Sequence, residues 1–126
     1  MSIHWSKSKL DEAKKEISTL ELSIEKTENT KFYAELLSQY IPLSKDLIAG
    51  FILLSINEWN KNHPGLDFPI EARGSNAVKV AAEMNEILKR RLKAMIRDES
   101  QHHLVDDAII RTLKKFSELG ARGVPK

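Results

Sequence analysis

The sequence predicts an all-α fold, a bundle of three to five helices with long first and last helices. Two long segments place apolar residues at helical spacing, and a shorter segment between them is apolar on most sides. With five glycines, four prolines and 6% aromatic residues, the chain lacks the frequent turns of a β-sandwich. From the length of 126 residues we expect one helical domain over residues 1–120 and a flexible tail at residues 121–126.

The first predicted segment runs from Ser8 to about Tyr40. Ser8 begins the tetrapeptide Ser-Lys-Leu-Asp, which resembles a capping box. An apolar stripe with alternating spacings of three and four residues follows, formed by Leu10, Ala13, Ile17, Leu20 and Ile24. Because the stripe blurs at residues 27–30 and then resumes, the segment is either one long helix with a local irregularity or two helices in tandem.

Pro42 ends the first segment, because the residue before a proline is pushed away from the α conformation. Ser44 then provides an N-cap for a second helix, which we expect to run to about Asn62. This helix is apolar on most sides, so other helices must surround it, and Gly50 predicts a close helix crossing. Since two long helices form a thin shell around so apolar a segment, we expect a second subunit to complete its burial in a homodimer.

The third segment begins at Ser75 or Asn76 and ends at Gly120. Its first half carries a helical apolar stripe, which is interrupted by a polar cluster at residues 97–107. After the cluster the stripe resumes with Val105, Ile109, Ile110, Leu113 and Phe116.

The polar cluster reads Arg-Asp-Glu-Ser-Gln-His-His-Leu-Val-Asp-Asp and is compatible with two arrangements. In a continuous helix, four polar side chains share the face that extends the apolar stripe: Glu99, His102, His103 and Asp106. They would then point into the core, which is costly unless they are paired, bound to a metal or hydrated. If the helix breaks near residues 98–101, Ser100 caps a new helix and the cluster forms an exposed corner. The sequence leaves both arrangements open.

Composition and charge exclude several classes of site. The chain has no cysteine, which excludes disulfides, thiolate zinc sites and cysteine nucleophiles. Residues 1–72 carry eight Lys or Arg against eleven Asp or Glu, and residues 73–126 carry twelve against seven, so the C-terminal half is basic. The N-terminus lacks the apolar region of a signal peptide, and the apolar run at 47–56, ten residues long, is too short to span roughly 30 Å of hydrocarbon. We therefore expect a soluble, cytoplasmic protein.

One chemical hypothesis for the cluster is a metal site. Glu99 and His102 have the Glu-x-x-His spacing of di-iron bundles, in which residues three apart converge on one ion. Such sites need a second motif of this kind, which the chain lacks, and further carboxylates, which Glu35 and Glu58 could supply. We therefore predict neither a metal site nor a cofactor.

A second hypothesis is an RNA-cleaving enzyme. The six residues from Arg97 to His102 resemble the R-polar-x3-H pattern of HEPN-type RNases, which are helical domains of similar size. The resemblance implies a dimer that brings two motifs together, with Arg97 stabilising charge and His102 exchanging protons in the transphosphorylation of RNA. Four neighbouring carboxylates would repel a phosphate backbone: Asp98, Glu99, Asp106 and Asp107.

A third hypothesis is nucleic-acid binding without catalysis, by a regulator that uses the basic residues of segment 89–97. These residues are Lys89, Arg90, Arg91, Lys93 and Arg97. They spread over more than one helical face, so a solvated surface with pairs such as Glu86–Arg90 is the simpler interpretation. The cluster can likewise consist of surface pairs four residues apart, or of a subunit contact that responds to histidine protonation: Asp98–His102, Glu99–His103, His102–Asp106 and His103–Asp107.

Taken together, these patterns favour a small helical binding or regulatory protein, such as an adaptor, an inhibitor or an immunity-type protein, over a stand-alone enzyme. We expect its partners to be another protein and a second copy of the chain, with nucleic acid as the alternative and no membrane. The predicted binding residues are Lys89, Arg90, Lys93, Arg97, Glu99, His102, His103 and Asp106. Catalytic residues are predicted only for the RNase alternative, as Arg97 and His102.

Overall fold

The computed structural model describes residues 3–20, 28–68 and 75–121, and it confirms the all-α fold. Its elements in chain order are α1 (Lys7–Leu20), α2 (Glu28–Leu37), α3 (Lys45–Asn62), α4 (Ala77–Ala94), a short 3-10 helix (Glu99–Gln101) and α5 (His102–Ala121). The described residues contain no strand, and none of their helices is long and apolar enough to cross a membrane. Ala121 is the last residue of α5, and the rest of the expected tail, residues 122–126, lies outside the described part of the chain.

The first predicted segment forms two helices, α1 and α2, rather than one. Residues 21–27, which connect them, lie outside the described ranges. Helix α1 begins at Lys7, and the Leu10 N–H donates a hydrogen bond to the Ser6 carbonyl at 2.9 Å. The predicted capping box at Ser8 is wrong, because Ser8 already lies inside the helix.

Helix α3 is the central helix of the bundle. Ser44 caps it as predicted, since its hydroxyl oxygen accepts a hydrogen bond from the Leu47 N–H at 3.2 Å. Ten of its residues are buried, and α1, α2 and α4 all pack against it. The expectation that α3 needs a second subunit for its burial is wrong, because the first segment folds into two helices that both cover it. Dimerisation itself stays a prediction.

A buried polar pair joins α2 to α4. The Tyr33 hydroxyl donates a hydrogen bond to Asn85 Oδ1 at 2.7 Å, and Asn85 Nδ2 donates to the Ala81 carbonyl at 2.9 Å. Burial raises the pKa of the Tyr33 phenol far above its usual value, so the hydroxyl stays neutral and remains a donor. Because a buried polar atom without a partner is costly, this pair favours one position of α2 relative to α4.

The third predicted segment forms two helices, because α4 ends at Ala94 and α5 begins at His102. Of the two arrangements left open by the sequence, the broken helix is the observed one. Asn76 occupies the N-cap position of α4, and its side chain makes no capping hydrogen bond.

The break changes which face of α5 is buried. The face that packs against α2 and α4 consists of Val105, Ala108, Ile109 and Thr112. By contrast, the side chain of Ile110 is 60% exposed and that of Leu113 is 39% exposed. The predicted stripe is therefore correct at Val105, Ile109 and Phe116 and wrong at Ile110 and Leu113. The reason is that α5 starts in its own rotational phase instead of continuing that of α4.

Gly50 lies at a close crossing of α1 and α3, as predicted. A Cβ atom at this position would lie 2.7 Å from both Cδ1 and Cγ2 of Ile17, which is well inside the normal contact distance between carbon atoms. The Ile17 side chain is itself buried, at 6% exposure. The missing side chain at Gly50 therefore allows α1 to approach α3 this closely.

We predict that Gly50→Ala lowers the free energy of unfolding by about 1–3 kcal/mol, because the added methyl group overpacks the crossing by more than it gains in helix propensity. Chemical denaturation measures this change. In an Ile17→Ala background the methyl group has room, so the same substitution should cost much less there. An equal cost in both backgrounds would contradict the close contact.

Candidate functional site

The N-terminal segment, residues 3–6, is bound to the backbone that connects α4 with α5. The Ser6 N–H donates to the Met95 carbonyl at 2.7 Å, and the Arg97 N–H donates to the His4 carbonyl at 2.8 Å. These two hydrogen bonds join chain positions that are about ninety residues apart. They supply hydrogen-bond partners for the backbone groups of Met95 and Arg97, which lie beyond the end of α4.

Side chains reinforce this contact. Trp5 and Ile96 form an isolated antiparallel β-bridge, and Ile96 is buried while Trp5 packs against the edge of the core. The Gln101 side chain accepts a hydrogen bond from the His4 N–H at 2.8 Å. The N-terminal segment is therefore part of the polar corner, together with residues 95–101.

Asp98 shapes the turn that leads into α5. Its Oδ1 atom accepts hydrogen bonds from the Ser100 hydroxyl at 2.7 Å and from the Ser100 N–H at 3.0 Å. The Ser100 hydroxyl is the main reason why the pKa of the Asp98 carboxyl is lowered, followed by the Ser100 N–H. Asp98 thus caps the 3-10 helix, a role that the sequence assigned to Ser100.

The four predicted polar side chains do not converge at this corner. His103 is exposed, and its Nδ1 atom lies 2.9 Å from the Ser100 carbonyl oxygen. Asp106 forms an ion pair with Lys93 at 2.9 Å, and Glu99 is exposed. The Nε2 atom of His102 is shielded from solvent and has no hydrogen-bond partner among the described residues.

None of the four predicted acid–histidine pairs forms an ion pair or a hydrogen bond among these described residues. For Asp98–His102 and Glu99–His103 the physical reason is the break, because residues 98–101 do not continue as an α-helix into α5. The other two pairs lie within α5, where Asp106 binds Lys93 instead of His102 and the Nδ1 atom of His103 lies 2.9 Å from the Ser100 carbonyl oxygen.

Most of the predicted basic binding residues are paired with carboxylates. Lys89 binds Glu86 at 2.9 Å, and Glu58 binds both Arg91, at 2.7 Å, and Arg90. These contacts reduce the positive charge that segment 89–97 presents to a nucleic acid. Nucleic-acid binding by this segment stays a prediction.

The metal hypothesis takes Glu58 as one further ligand beside Glu99 and His102. The Glu58 carboxylate is paired with the two arginines instead. Within the described ranges, no group of three or more His, Asp or Glu side chains is placed to hold a metal ion.

A basic cleft of about 440 Å³ lies between the start of α1, the end of α4 and the connection to α5. It is lined by Ser6, Lys9, Lys93, Ala94, Ile96, Arg97, Glu99 and His102. Arg97 and His102, the two residues of the RNase hypothesis, thus share one cleft. Lys9 was missed in the sequence analysis because only the folded N-terminal segment brings α1 to this corner.

The outer face of α5 is a second candidate surface. It consists of His103, Asp106, Asp107, Ile110, Leu113 and Lys114, with Ile110 near its centre. His103, Asp107, Ile110 and Lys114 follow one another at spacings of four, three and four residues and are all exposed. Charge is divided along this face, with two aspartates before Ile110 and Lys114 after it.

Comparison with known proteins identifies no relative of this chain: no protein-family model, no curated protein and no solved structure matches it. Function is therefore inferred from the geometry of the basic cleft and of the outer face of α5.

We predict that Ser100→Ala raises the pKa of Asp98 toward its ordinary value, because the hydroxyl donor is lost. In the parent protein the lowered pKa means that the carboxylate stabilises the fold above pH 3.8, and this contribution is lost as the pH falls through the lowered value. An NMR titration of the Asp98 carboxyl measures the shift. Ser18→Ala on α1 is the control and should leave the Asp98 pKa unaltered. An unaltered Asp98 pKa in Ser100→Ala would show that the hydrogen bond from the Ser100 hydroxyl is absent.

Proposed function

We propose that the protein is a small helical binding protein that acts through macromolecular contacts, as an adaptor, inhibitor or immunity-type regulator, and that it forms a homodimer through the outer face of α5. The observation that carries this proposal is the exposure of Ile110, of which 60% is accessible to solvent at the centre of that face. Leu113, less than one turn away, is 39% exposed. Two large apolar side chains side by side on a helix favour a partner that removes them from water.

The charges on the outer face favour a second copy as that partner. The acidic half of the face contains Asp107, since the neighbouring Asp106 is already paired with Lys93, and the basic half contains Lys114 with Arg111 and Lys115 beside it. If two copies of α5 pack antiparallel about a two-fold axis at Ile110, the acidic half of each copy meets the basic half of the other. A parallel arrangement would place like charges together.

The expected dimer is weak. Exposed ion pairs contribute about 0–1 kcal/mol each, so the charges select the antiparallel orientation more than they provide affinity. The affinity comes from burying Ile110 and Leu113, which is a small apolar contact compared with that of a permanent dimer. A reversible contact of this kind suits a regulatory protein, because its face can exchange one partner for another.

RNA cleavage is a second candidate function, supported by the position of Arg97 and His102 in one cleft. Arg97 is exposed and has no carboxylate partner among the described residues, so its charge is available to a phosphate. His102 fits less well, because its shielded Nε2 atom would have to become accessible before it could exchange a proton.

We predict that the parent protein dimerises reversibly with rising concentration and that Ile110→Glu weakens this association by about tenfold or more, because a carboxylate would be desolvated at the centre of the contact. Light scattering over a concentration series measures the mass. Val78→Glu is the matched control, since Val78 is also a β-branched side chain, 86% exposed, but lies on α4.

The orientation is tested by charge reversal. Lys114→Glu should weaken the dimer, and adding Asp107→Lys should restore it, because opposite charges then meet again. A parent protein that stays monomeric at every concentration, or an Ile110→Glu variant that dimerises like Val78→Glu, would contradict the proposal.

For the second candidate, we predict that the parent protein cleaves single-stranded RNA and that His102→Ala loses this activity while its circular dichroism spectrum is retained. The rate falls because proton exchange at the leaving group is lost, which is worth about 10²–10⁴-fold in general acid–base catalysis. His103→Ala is the control, because His103 does not line the cleft. Absence of cleavage by the parent, or equal cleavage by His102→Ala, removes this candidate.

A further inference from the structure

We propose that the basic cleft is a binding site for the phosphate group of a small phosphorylated molecule. This site is separate from the outer face of α5, so it goes beyond the proposed function. Nor does it depend on RNA cleavage, because binding of an anion requires no proton exchange by His102.

Three different parts of the chain supply positive charge to the cleft. Lys9 comes from α1, Lys93 from the last turn of α4, and Arg97 from the connection to α5. Lys93 is paired with Asp106 at 2.9 Å, whereas Lys9 and Arg97 are exposed and have no carboxylate partner among the described residues. Within the described ranges, the cleft therefore holds two cations that form no ion pair.

The fold holds these two cations at one cleft although like charges repel. Residues 3–6 lie directly before α1, and their hydrogen bonds to Met95 and Arg97 bring the first turn of α1 beside the connection. The backbone of Arg97 itself takes part, because its N–H donates to the His4 carbonyl at 2.8 Å. The positions of Lys9 and Arg97 are thus set before any ligand arrives, which lowers the ordering cost of binding.

Neutral and acidic groups complete the lining. Ser6 contributes a hydroxyl group, whereas the Nε2 atom of His102 is shielded from solvent and is not needed for binding an anion. Among the described lining residues Glu99 is the one carboxylate, and it offsets part of the charge of Lys9 and Arg97, so the cleft keeps a net positive charge. The net positive charge selects for an anion, and it selects more strongly for a phosphate dianion than for a carboxylate.

The side-chain types and the size of the cleft agree with a phosphate ligand. The guanidinium of Arg97 can donate two parallel hydrogen bonds to phosphate oxygens, and lysine ammonium groups add point charges beside it. A volume of about 440 Å³ lies in the range of sites for small molecules, which is roughly 300–1,000 Å³. The occupant is therefore a small molecule with a terminal phosphate or diphosphate.

Calorimetric titration with sodium pyrophosphate, at constant ionic strength and with chloride as the balancing anion, tests this site. We expect saturable binding by the parent protein, and Lys9→Gln and Arg97→Gln should each weaken it by about tenfold, as expected for the loss of a charge-assisted hydrogen bond. Lys79→Gln is the matched control, because Lys79 is an exposed lysine outside the cleft. It should bind pyrophosphate like the parent.

Two further titrations distinguish this site from the proposed dimer contact and from an RNA-binding site. Ile110→Glu should bind pyrophosphate normally, which separates this site from the proposed dimer contact. A short single-stranded RNA should bind more weakly than pyrophosphate; tighter binding of RNA would overturn the assignment to a small molecule. No binding by the parent, or an equal loss in Lys79→Gln and in the cleft variants, would show that no oxyanion site exists.

Discussion

The polar corner depends on one constraint: the backbone that leaves helix α4 must find hydrogen-bond partners outside a helix. Residues 3–6 provide them, through the bonds from Ser6 to Met95 and from Arg97 to His4. After this connection α5 starts in a new rotational phase, in which Thr112 is buried against α2 and α4 and Ile110 is exposed. The contact of residues 3–6 also brings Lys9 of α1 beside Arg97 and so forms the basic cleft.

The features that the sequence predicts well are those with local causes. Ser44 lies two residues after Pro42 and shortly before an apolar stretch, so its capping role can be predicted from neighbouring residues. Gly50 is likewise identified without the structure, because a glycine inside an otherwise apolar helix indicates a close approach. The break at residues 98–101 was one of two arrangements that the sequence left open.

The features that the sequence does not reveal depend on contacts between distant positions. The pairing of Trp5 with Ile96 joins residues from opposite ends of the chain, and no local pattern indicates it. The exposure of Ile110 and Leu113 was missed for the same reason, since their apolar character is compatible with a core position until the phase of α5 is known. Nothing in the residues around Lys9 indicates that folding places it in the basic cleft, beside a connection almost ninety residues further along the chain.

We infer that residues 3–6 hold the connection between α4 and α5 in a fixed position, and amide hydrogen exchange measured by NMR tests this claim. If the claim is correct, the Ser6 and Arg97 amides exchange far more slowly than in an unstructured peptide, because each is a donor in a bond between the two segments. Exchange of both amides at the unprotected rate, while amides of the buried residues of α3 such as Leu54 remain protected, would contradict it.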